Sequence, residues 1–155
     1  MQRVLPLALG GLSPALGVLR TLGVRGLAVG AGDSSQKPVG GVLEVQTDQQ
    51  YQELLSATGP NSSVAILDFT AKWCPPCKAI APKFEELSLA HPSIKFLKLD
   101  IDTPELSGIV QQNGITGVPT FIFLEQGKEV ERVNGANLQL LKSLITKYAG
   151  QHGKA

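Results

Sequence analysis

The sequence predicts an α/β domain in which a central mixed sheet of five strands is flanked by four helices. Short apolar segments with strand character alternate along the chain with longer segments of helical periodicity. Residues 64–70 are apolar at nearly every position, which is typical of a central strand that helices cover on both faces. The turn at residues 126–128 joins the last two strand segments into a hairpin, so the final strand should be antiparallel to its neighbour.

The first half of the domain is predicted to contain two strands and two helices. Residues 42–45 form a short strand, and Thr47 caps a helix that runs to about Thr58. Residues 64–70 form the central strand, and a second helix follows the cysteine pair and ends near Ala90. The apolar residues expected to face inward from this second helix are Ile80, Phe84, Leu87 and Leu89.

The second half of the domain is predicted to contain three strands and two helices. In order, these are a buried strand at 94–101, a short helix at 104–110, a loop at 114–119, strands at 120–124 and 129–133, and a final helix capped by Asn137. Because strands alternate with helices over most of the chain, the sheet should be covered on both faces.

Length and composition restrict the class of protein. The 155 residues are enough for one domain with a hydrophobic core, and a chain that is 43% hydrophobic and 17% charged is ordinary for a globular protein. A formal net charge of +1 gives no indication of nucleic-acid binding. No uninterrupted apolar run approaches the roughly 20 residues that span a bilayer, so we expect no membrane insertion.

The charge is distributed unevenly between the front of the chain and the rest. Residues 1–32 contain Arg3, Arg20 and Arg25 and no acidic residue. The remainder contains 11 of the 14 Lys and Arg residues and all 13 Asp and Glu residues. We therefore divide the chain into a targeting or disordered segment (1–40), a domain (41–150) and a short C-terminal tail (151–155).

The front segment, residues 1–40, is interpreted as a targeting sequence. A mitochondrial transit peptide for the matrix carries Arg and few acids, which favours this interpretation. In a secretory signal with an apolar core at residues 4–19, Arg20 and Arg25 would lie awkwardly before a cleavage site near Ala31. A plastid transit peptide, although hydroxyl residues are scarce, and a disordered tail without an address also remain open.

Cys74 and Cys77 are the two cysteines of the sequence, and two residues separate them. A disulfide scaffold needs more bridges, and a zinc site needs four ligands. The histidines, His91 and His152, do not have ligand-like spacing, so we expect no metal. A redox pair or two incidental core cysteines remain, and the position between an apolar strand and a helix favours the redox pair.

The strand-to-helix position would activate the first cysteine. Unpaired N–H groups and the helix dipole favour negative charge at a helix N-terminus, which should lower the pKa of the Cys74 thiol. Cys77 lies one turn further into the helix and should be the more buried, resolving thiol. Pro75 and Pro76 suit a first helical turn, where the N–H is not needed, and they stiffen the loop.

Three more features accompany the cysteine pair. Asp68 stands in the apolar central strand, where desolvation should raise the pKa of its carboxyl. Trp73 precedes the first cysteine, and residues 115–120 form a loop that contains Pro119. With these motifs in this order, residues 42–149 closely resemble the thioredoxin family, and the resemblance implies the thioredoxin fold.

The resemblance also implies roles for individual residues. In the family, the acid matching Asp68 assists proton transfer to and from the second cysteine, and Lys98 matches a lysine that faces it, although an exposed strand lysine is the alternative. Pro119 matches a cis-proline beside the disulfide, and the backbone of Val118 would pair with the substrate chain. Two further family positions border the substrate site: Trp73, expected to be exposed rather than in the core, and Gly135.

The implied activity is that of a protein-disulfide reductase that supplies electrons to client proteins. A flavin-bearing thioredoxin reductase would regenerate the dithiol, and clients would include peroxiredoxin or methionine sulfoxide reductase. The resemblance implies a monomer without a bound cofactor. Alternatives are a disulfide oxidase or isomerase in a secretory compartment, and a non-enzymatic subunit of a larger assembly.

Pro75 departs from the family pattern, which usually has Gly at this position. The resulting Cys-Pro-Pro-Cys sequence is typical of tryparedoxins, so a tryparedoxin-like electron carrier is a further alternative. The flanking residues are similar to those of ordinary thioredoxins, and the insertions that lengthen tryparedoxins are missing.

Overall fold

A five-stranded mixed sheet organises the domain. The computed structural model describes residues 41–56 and 64–152. The strands are β1 (Val42–Val45), β2 (Val64–Thr70), β3 (Lys95–Asp100), β4 (Thr120–Glu125) and β5 (Lys128–Asn134). They are arranged in the order β1-β3-β2-β4-β5, with parallel pairing among the first three and antiparallel pairing of β2 with β4 and of β4 with β5. This confirms the predicted mixed sheet and the antiparallel final strand.

Four α-helices pack on the two faces of this sheet. They are α1 (Asp48–Ser56), α2 (Pro75–Ala90), α3 (Ser107–Gln112) and α4 (Leu138–His152), and one turn of 3₁₀-helix (Pro104–Leu106) leads into α3. None of the helices within the described ranges has the length and apolar character that crossing a membrane requires.

The predicted boundaries agree with the structure to within one or two residues. β3 is one residue shorter at each end than the predicted strand at 94–101, and the predicted helix at 104–110 consists of the 3₁₀ turn followed by α3. The predicted end of the first helix at Thr58, the front segment 1–40 and the last three residues lie outside the described residues.

Side-chain caps begin two of the helices at the predicted residues. The Gln50 N–H donates to the Thr47 hydroxyl at 3.2 Å, and the Leu140 N–H donates to the Asn137 side-chain oxygen at 3.1 Å. Each bond satisfies one of the amides that the first turn of a helix leaves without a partner.

Apolar side chains fill both faces of the sheet. On one face, α2 and α4 cover a cluster built around Phe84, Phe96 and Phe121, and on the other, α1 and α3 cover a cluster that includes Tyr51 and Ile109. Burial of a large apolar side chain contributes about 1.5–3 kcal/mol. The double cover explains why β2 is buried at all seven positions.

One predicted core residue of α2 is wrong. Ile80 and Phe84 are buried and Leu87 packs against the core, but Leu89 is 68% exposed. At about 100° of rotation per residue, Leu89 lies roughly 140° around the helix from Phe84, which turns it away from the sheet.

Candidate active site

The junction between β2 and α2 holds the two cysteines. The strand ends at Thr70 and the helix begins at Pro75, so Cys74 is the N-cap and Cys77 lies in the first turn. Their Cα atoms are 5.3 Å apart and their sulfurs form a disulfide. Two intervening residues in this conformation bring the sulfurs within bonding range without any rearrangement of the backbone.

The start of α2 directs a backbone donor at the first sulfur. The Cys77 N–H donates to Cys74 Sγ at 3.2 Å. Pro75 and Pro76 occupy the first two helical positions and have no N–H, so the Cys77 amide is the first in the helix that can donate. A hydrogen bond and a helix N-terminus at the same sulfur both favour negative charge on Cys74 Sγ.

Both cysteines are buried in the disulfide form. Cys74 is 2% exposed and Cys77 is 4% exposed. The prediction that Cys77 would be the more buried of the two is therefore wrong for this form. Both cysteines belong to one buried cluster with Ala71, against which Val118 packs. A client disulfide must therefore reach a cysteine sulfur that neighbouring residues of this chain largely cover.

Trp73 lies beside the disulfide and is 64% exposed, so it is not a core residue. Its indole N–H donates to Asp102 Oδ2 at 2.8 Å. The Asp102 N–H in turn donates to Asp100 Oδ1 at 3.1 Å, and Lys72 Nζ lies 3.7 Å from the other oxygen of Asp100. Sequence reasoning missed Asp102; two acids that flank the end of a strand were the available signal.

Asp68 lies in β2, where its side chain is buried. Its Oδ1 has no hydrogen-bond partner among the described residues. Burial raises the pKa of the Asp68 carboxyl from its usual 3.8 to about 7, and the Lys98 ammonium lowers this pKa by a smaller amount. A carboxyl with this pKa can exchange a proton at neutral pH.

Lys98 faces Asp68 across the sheet. The two residues are paired in the parallel register of β2 and β3. Lys98 is half-buried, so the alternative of an exposed strand lysine does not hold. The predicted pairing of the two residues is therefore present in the fold.

An open cleft connects the second cysteine to solvent. It has a volume of about 350 Å³, and Cys77 and Lys98 both line it. Its remaining charged lining residues are Glu44, Lys72, Lys78 and Asp100. Through this cleft, protons can pass between solvent and Cys77.

The loop before β4 forms the other side of the disulfide. The Val118–Pro119 peptide bond is cis, as the resemblance implies, and the Val118 carbonyl oxygen lies 3.7 Å from Cys74 Sγ. The Gly135 N–H donates to the Pro119 carbonyl at 2.8 Å, and Gly135 has a φ of +80°, which favours glycine. The Thr120 hydroxyl, which sequence reasoning did not single out, donates to the Gly117 carbonyl at 2.8 Å.

These contacts bring all the predicted site residues to one end of the sheet. The chemistry available there is that of sulfur: a dithiol that can close to a disulfide, a backbone donor at one sulfur, and a carboxyl that titrates near neutrality. Within residues 41–56 and 64–152, no group of three or more His, Cys, Asp or Glu residues is placed to hold a metal ion.

Comparisons with known proteins agree with this chemistry. The family model described as Thioredoxin matches residues 42–147. Thioredoxin H1 of Arabidopsis thaliana is 38% identical over 109 residues, which are 70% of this chain and 94% of that protein. The crystal structure of thioredoxin NaTrxh from Nicotiana alata has a TM-score of 0.66 at 36% identity and covers 74% of this chain and 97% of its own.

A second similar structure is a complex of ferredoxin:thioredoxin reductase and thioredoxin f2. Its matching chain has a TM-score of 0.64 at 36% identity and covers 72% of this chain and 97% of its own. The chain described here therefore belongs to the thioredoxin family and is a thiol–disulfide oxidoreductase whose redox centre is the Cys74–Cys77 pair.

Proposed function

We propose that the chain reduces disulfides of client proteins in the mitochondrial matrix and is re-reduced there by a thioredoxin reductase. The observation that carries the reductase chemistry is the Cys77 N–H directed at Cys74 Sγ from the start of α2. This donor favours the thiolate of Cys74, which is the form that attacks a disulfide.

The reaction takes place in two exchanges. The Cys74 thiolate attacks one sulfur of the client disulfide, the client S–S bond breaks, and the second client sulfur leaves as a thiolate that takes up a proton. Cys77 then loses its proton and attacks Cys74 Sγ, which forms the Cys74–Cys77 disulfide and releases the first client sulfur. Two electrons pass from the chain to the client.

Asp68 is the proposed proton acceptor for Cys77. Its pKa of about 7 means that near neutral pH it is poised between its acid and base forms. Lys98 lies near both Asp68 and Cys77, because it is paired with Asp68 in the sheet and lines the same cleft as Cys77. Protons would reach solvent through this cleft.

The client would bind as an added strand along the loop beside the disulfide. The backbone of Val118 is close to Cys74 Sγ and would pair with the client chain. Pro75 and Pro76 are exposed at the start of α2, and Trp73, which precedes Cys74 in the chain, is exposed as well. We infer that these residues form the rim of the client site and that Pro119 and Gly135 form its floor.

Reduction of insulin by dithiothreitol tests this function. The protein should accelerate insulin precipitation, and Cys74→Ser should abolish the acceleration. Cys77→Ser is the matched variant: it retains the attacking thiol but cannot resolve, so it should accumulate a mixed disulfide with its client. If the unmodified protein gives no acceleration, the reductase activity is excluded.

The reductase that renews the dithiol is the second part of the proposal. A complex of ferredoxin:thioredoxin reductase with a thioredoxin f2 is among the similar structures, which supports a reductase as the partner. A flavin-bearing, NADPH-dependent thioredoxin reductase is the expected class. If this NADPH-dependent reductase consumes NADPH when the oxidised protein is added, the result would support that class. If only a ferredoxin-dependent reductase reduces the protein, that enzyme would be the partner instead.

The compartment is proposed from the front segment. Residues 1–32 carry three Arg and no acid, which is typical of a mitochondrial address. A fusion of residues 1–40 to a fluorescent reporter should enter mitochondria, and replacing the three Arg with Gln should prevent this. Entry into the secretory pathway would instead favour the oxidase or isomerase alternative, and entry into plastids would change the expected reductase.

Trapping with the Cys77→Ser variant would also identify clients. Peroxiredoxin and methionine sulfoxide reductase are the proposed ones, because both end their catalytic cycles with a disulfide that needs an external dithiol. Their recovery as mixed disulfides from a mitochondrial extract would support the proposal, and recovery of other proteins only would contradict it.

A further inference from the structure

Three ionisable side chains form a row across three adjacent parallel strands. Glu44 of β1 is paired with Lys98 of β3, and Lys98 is paired with Asp68 of β2. Residues paired in this way on parallel strands project from the same face of a sheet, and adjacent strands are about 4.8 Å apart. The Lys98 ammonium therefore has one carboxylate on each side.

Exposure changes steadily along this row. Asp68 is buried, Lys98 is half-buried and Glu44 is exposed. The cleft beside Cys77 is lined by Glu44 and Lys98 but not by Asp68, so the row runs from the cleft into the core. The flexible side chain of Lys98 is long enough to reach toward either end.

Lys98 is not fixed to either acid. Within the described parts of the chain, no salt bridge joins Lys98 to Glu44 or to Asp68. Its ammonium is therefore available both to the exposed carboxylate of Glu44 at the cleft and to the buried carboxyl of Asp68.

We propose that Glu44 is a positioning residue for the proton transfer at Cys77, because its carboxylate competes with Asp68 for the Lys98 ammonium and draws it toward the cleft. This inference rests on the proposed role of Asp68 as the proton acceptor. Glu44 touches neither sulfur, and it acts on the reaction only through Lys98.

The direction of the effect follows from Coulomb attraction. An ammonium near Asp68 favours its ionised form, so a Lys98 that is drawn toward Glu44 leaves Asp68 with a stronger hold on its proton. Removing the charge of Glu44 lets Lys98 turn toward Asp68. Asp68 then ionises at lower pH and becomes available as a base over a wider range.

Other charged groups face the same space and must stay constant in the test. Lys78 of α2, Lys72 of the preceding loop and Asp100 of β3 line the cleft. On the far side of Asp68, its partner on β4 is Phe121, which is apolar. Glu44→Gln leaves all of these groups unchanged and keeps a side chain of the same size.

The measurement is the titration of Asp68 by carboxyl carbon NMR in the oxidised protein, in which no thiol titrates. Asp68→Asn identifies the resonance. Glu44→Gln should lower the titration midpoint of the Asp68 carboxyl by about half a pH unit. The matched control is Glu53→Gln on α1, another exposed glutamate outside the cleft lining, which should leave the midpoint unchanged.

A double-mutant cycle distinguishes an effect of Glu44 that passes through Lys98 from a direct electrostatic effect of Glu44 on Asp68. Lys98→Gln alone should raise the midpoint of Asp68, and adding Glu44→Gln to it should produce little further change. An equal shift in both backgrounds would mean that Glu44 acts on Asp68 directly and would overturn the proposal. No shift in either background would overturn it as well.

The pH profile of insulin reduction gives the functional readout. For Glu44→Gln, the acid limb should move to lower pH by the same amount as the NMR midpoint, which a merely structural change would not produce. If Asp68→Asn leaves the rate unchanged, the proposed role of Asp68 fails. If Asp68→Asn slows the reaction but Glu44→Gln does not move the profile, the positioning role of Glu44 alone fails.

Discussion

The buried position of Asp68 lowers the stability of the folded state. A carboxyl in the middle of a buried strand loses its hydration, and its Oδ1 gains no hydrogen bond among the described residues in return. Burial of a polar group without a partner costs about 1–3 kcal/mol, and more for a charge. The proton-transfer role proposed for Asp68 gives a reason for keeping such a residue in the core.

Asp68→Asn should stabilise the oxidised protein at neutral and alkaline pH. The carboxyl has a usual pKa of 3.8 and a folded-state pKa of about 7, so the folded state holds the proton more tightly. Below about pH 4 both states are protonated and no penalty exists. As the pH rises to about 7 only the unfolded chain ionises freely, and the native state loses about 2–4 kcal/mol of stability.

Urea unfolding of the two proteins at several pH values checks this prediction. The gain from Asp68→Asn should be near zero at about pH 4 and should reach its maximum above about pH 7. Glu53→Gln, at an exposed position, serves as the control. A gain that did not depend on pH would show that Asp68 is not held protonated by burial.

Asp102 is a second residue with a specific contact, since it holds the ring of Trp73 by a hydrogen bond. Because its carboxylate accepts the indole N–H, Asp102→Ala should free the ring. The ring would then have to be ordered again when a client binds, which should raise the KM for a protein disulfide about twofold to fivefold. The kcat should change little. Asp102→Asn retains an acceptor and should be close to the unmodified protein; fluorescence anisotropy of Trp73 reports the mobility of the ring.

The first turn of α2 is the element that activates the cysteine pair. Two prolines at its first positions set the backbone, and the next amide donates to Cys74 Sγ. The same amide remains when residue 77 is serine. The activation of Cys74 is therefore a property of the helix start and not of the second thiol.

In the reduced Cys77→Ser variant, Cys74 should react with iodoacetamide at a pH below the range in which free cysteine reacts. The reason is that the residue 77 N–H and the helix N-terminus still stabilise the thiolate. The pH dependence of the alkylation rate checks this, with the same variant unfolded in guanidinium as the control. Equal midpoints for the folded and unfolded forms would contradict it.

At the scale of the whole molecule, the proposed catalytic and client-binding residues all belong to one part of the chain. They lie between Asp68 and Gly135, inside the range 42–147 that matches the family. Deleting residues 1–40 should therefore leave insulin reduction within about twofold of the full chain, while the protein should no longer enter mitochondria. Loss of activity on deletion would assign the front segment a part in the reaction.

Much of the fold and of the site can be predicted from the sequence because the signals are local. The caps at Thr47 and Asn137 and the apolar run of β2 are each visible within a few residues. Leu89 shows the limit of such signals. Helical periodicity identifies apolar positions, but Leu89 lies on the side of α2 that is turned away from the sheet, and an apolar residue there remains exposed.

The amino-acid sequence by itself determined the redox pair, its position at a helix start and the acid in the central strand, because each depends on neighbours along the chain. The tertiary structure alone placed Glu44 beside Lys98 and Asp102 beneath Trp73. Those contacts join residues 54 and 29 positions apart. Strand order and register decide the first contact, since a shift of one residue would turn a side chain to the opposite face of the sheet. The loops that follow β2 and β3 decide the second contact.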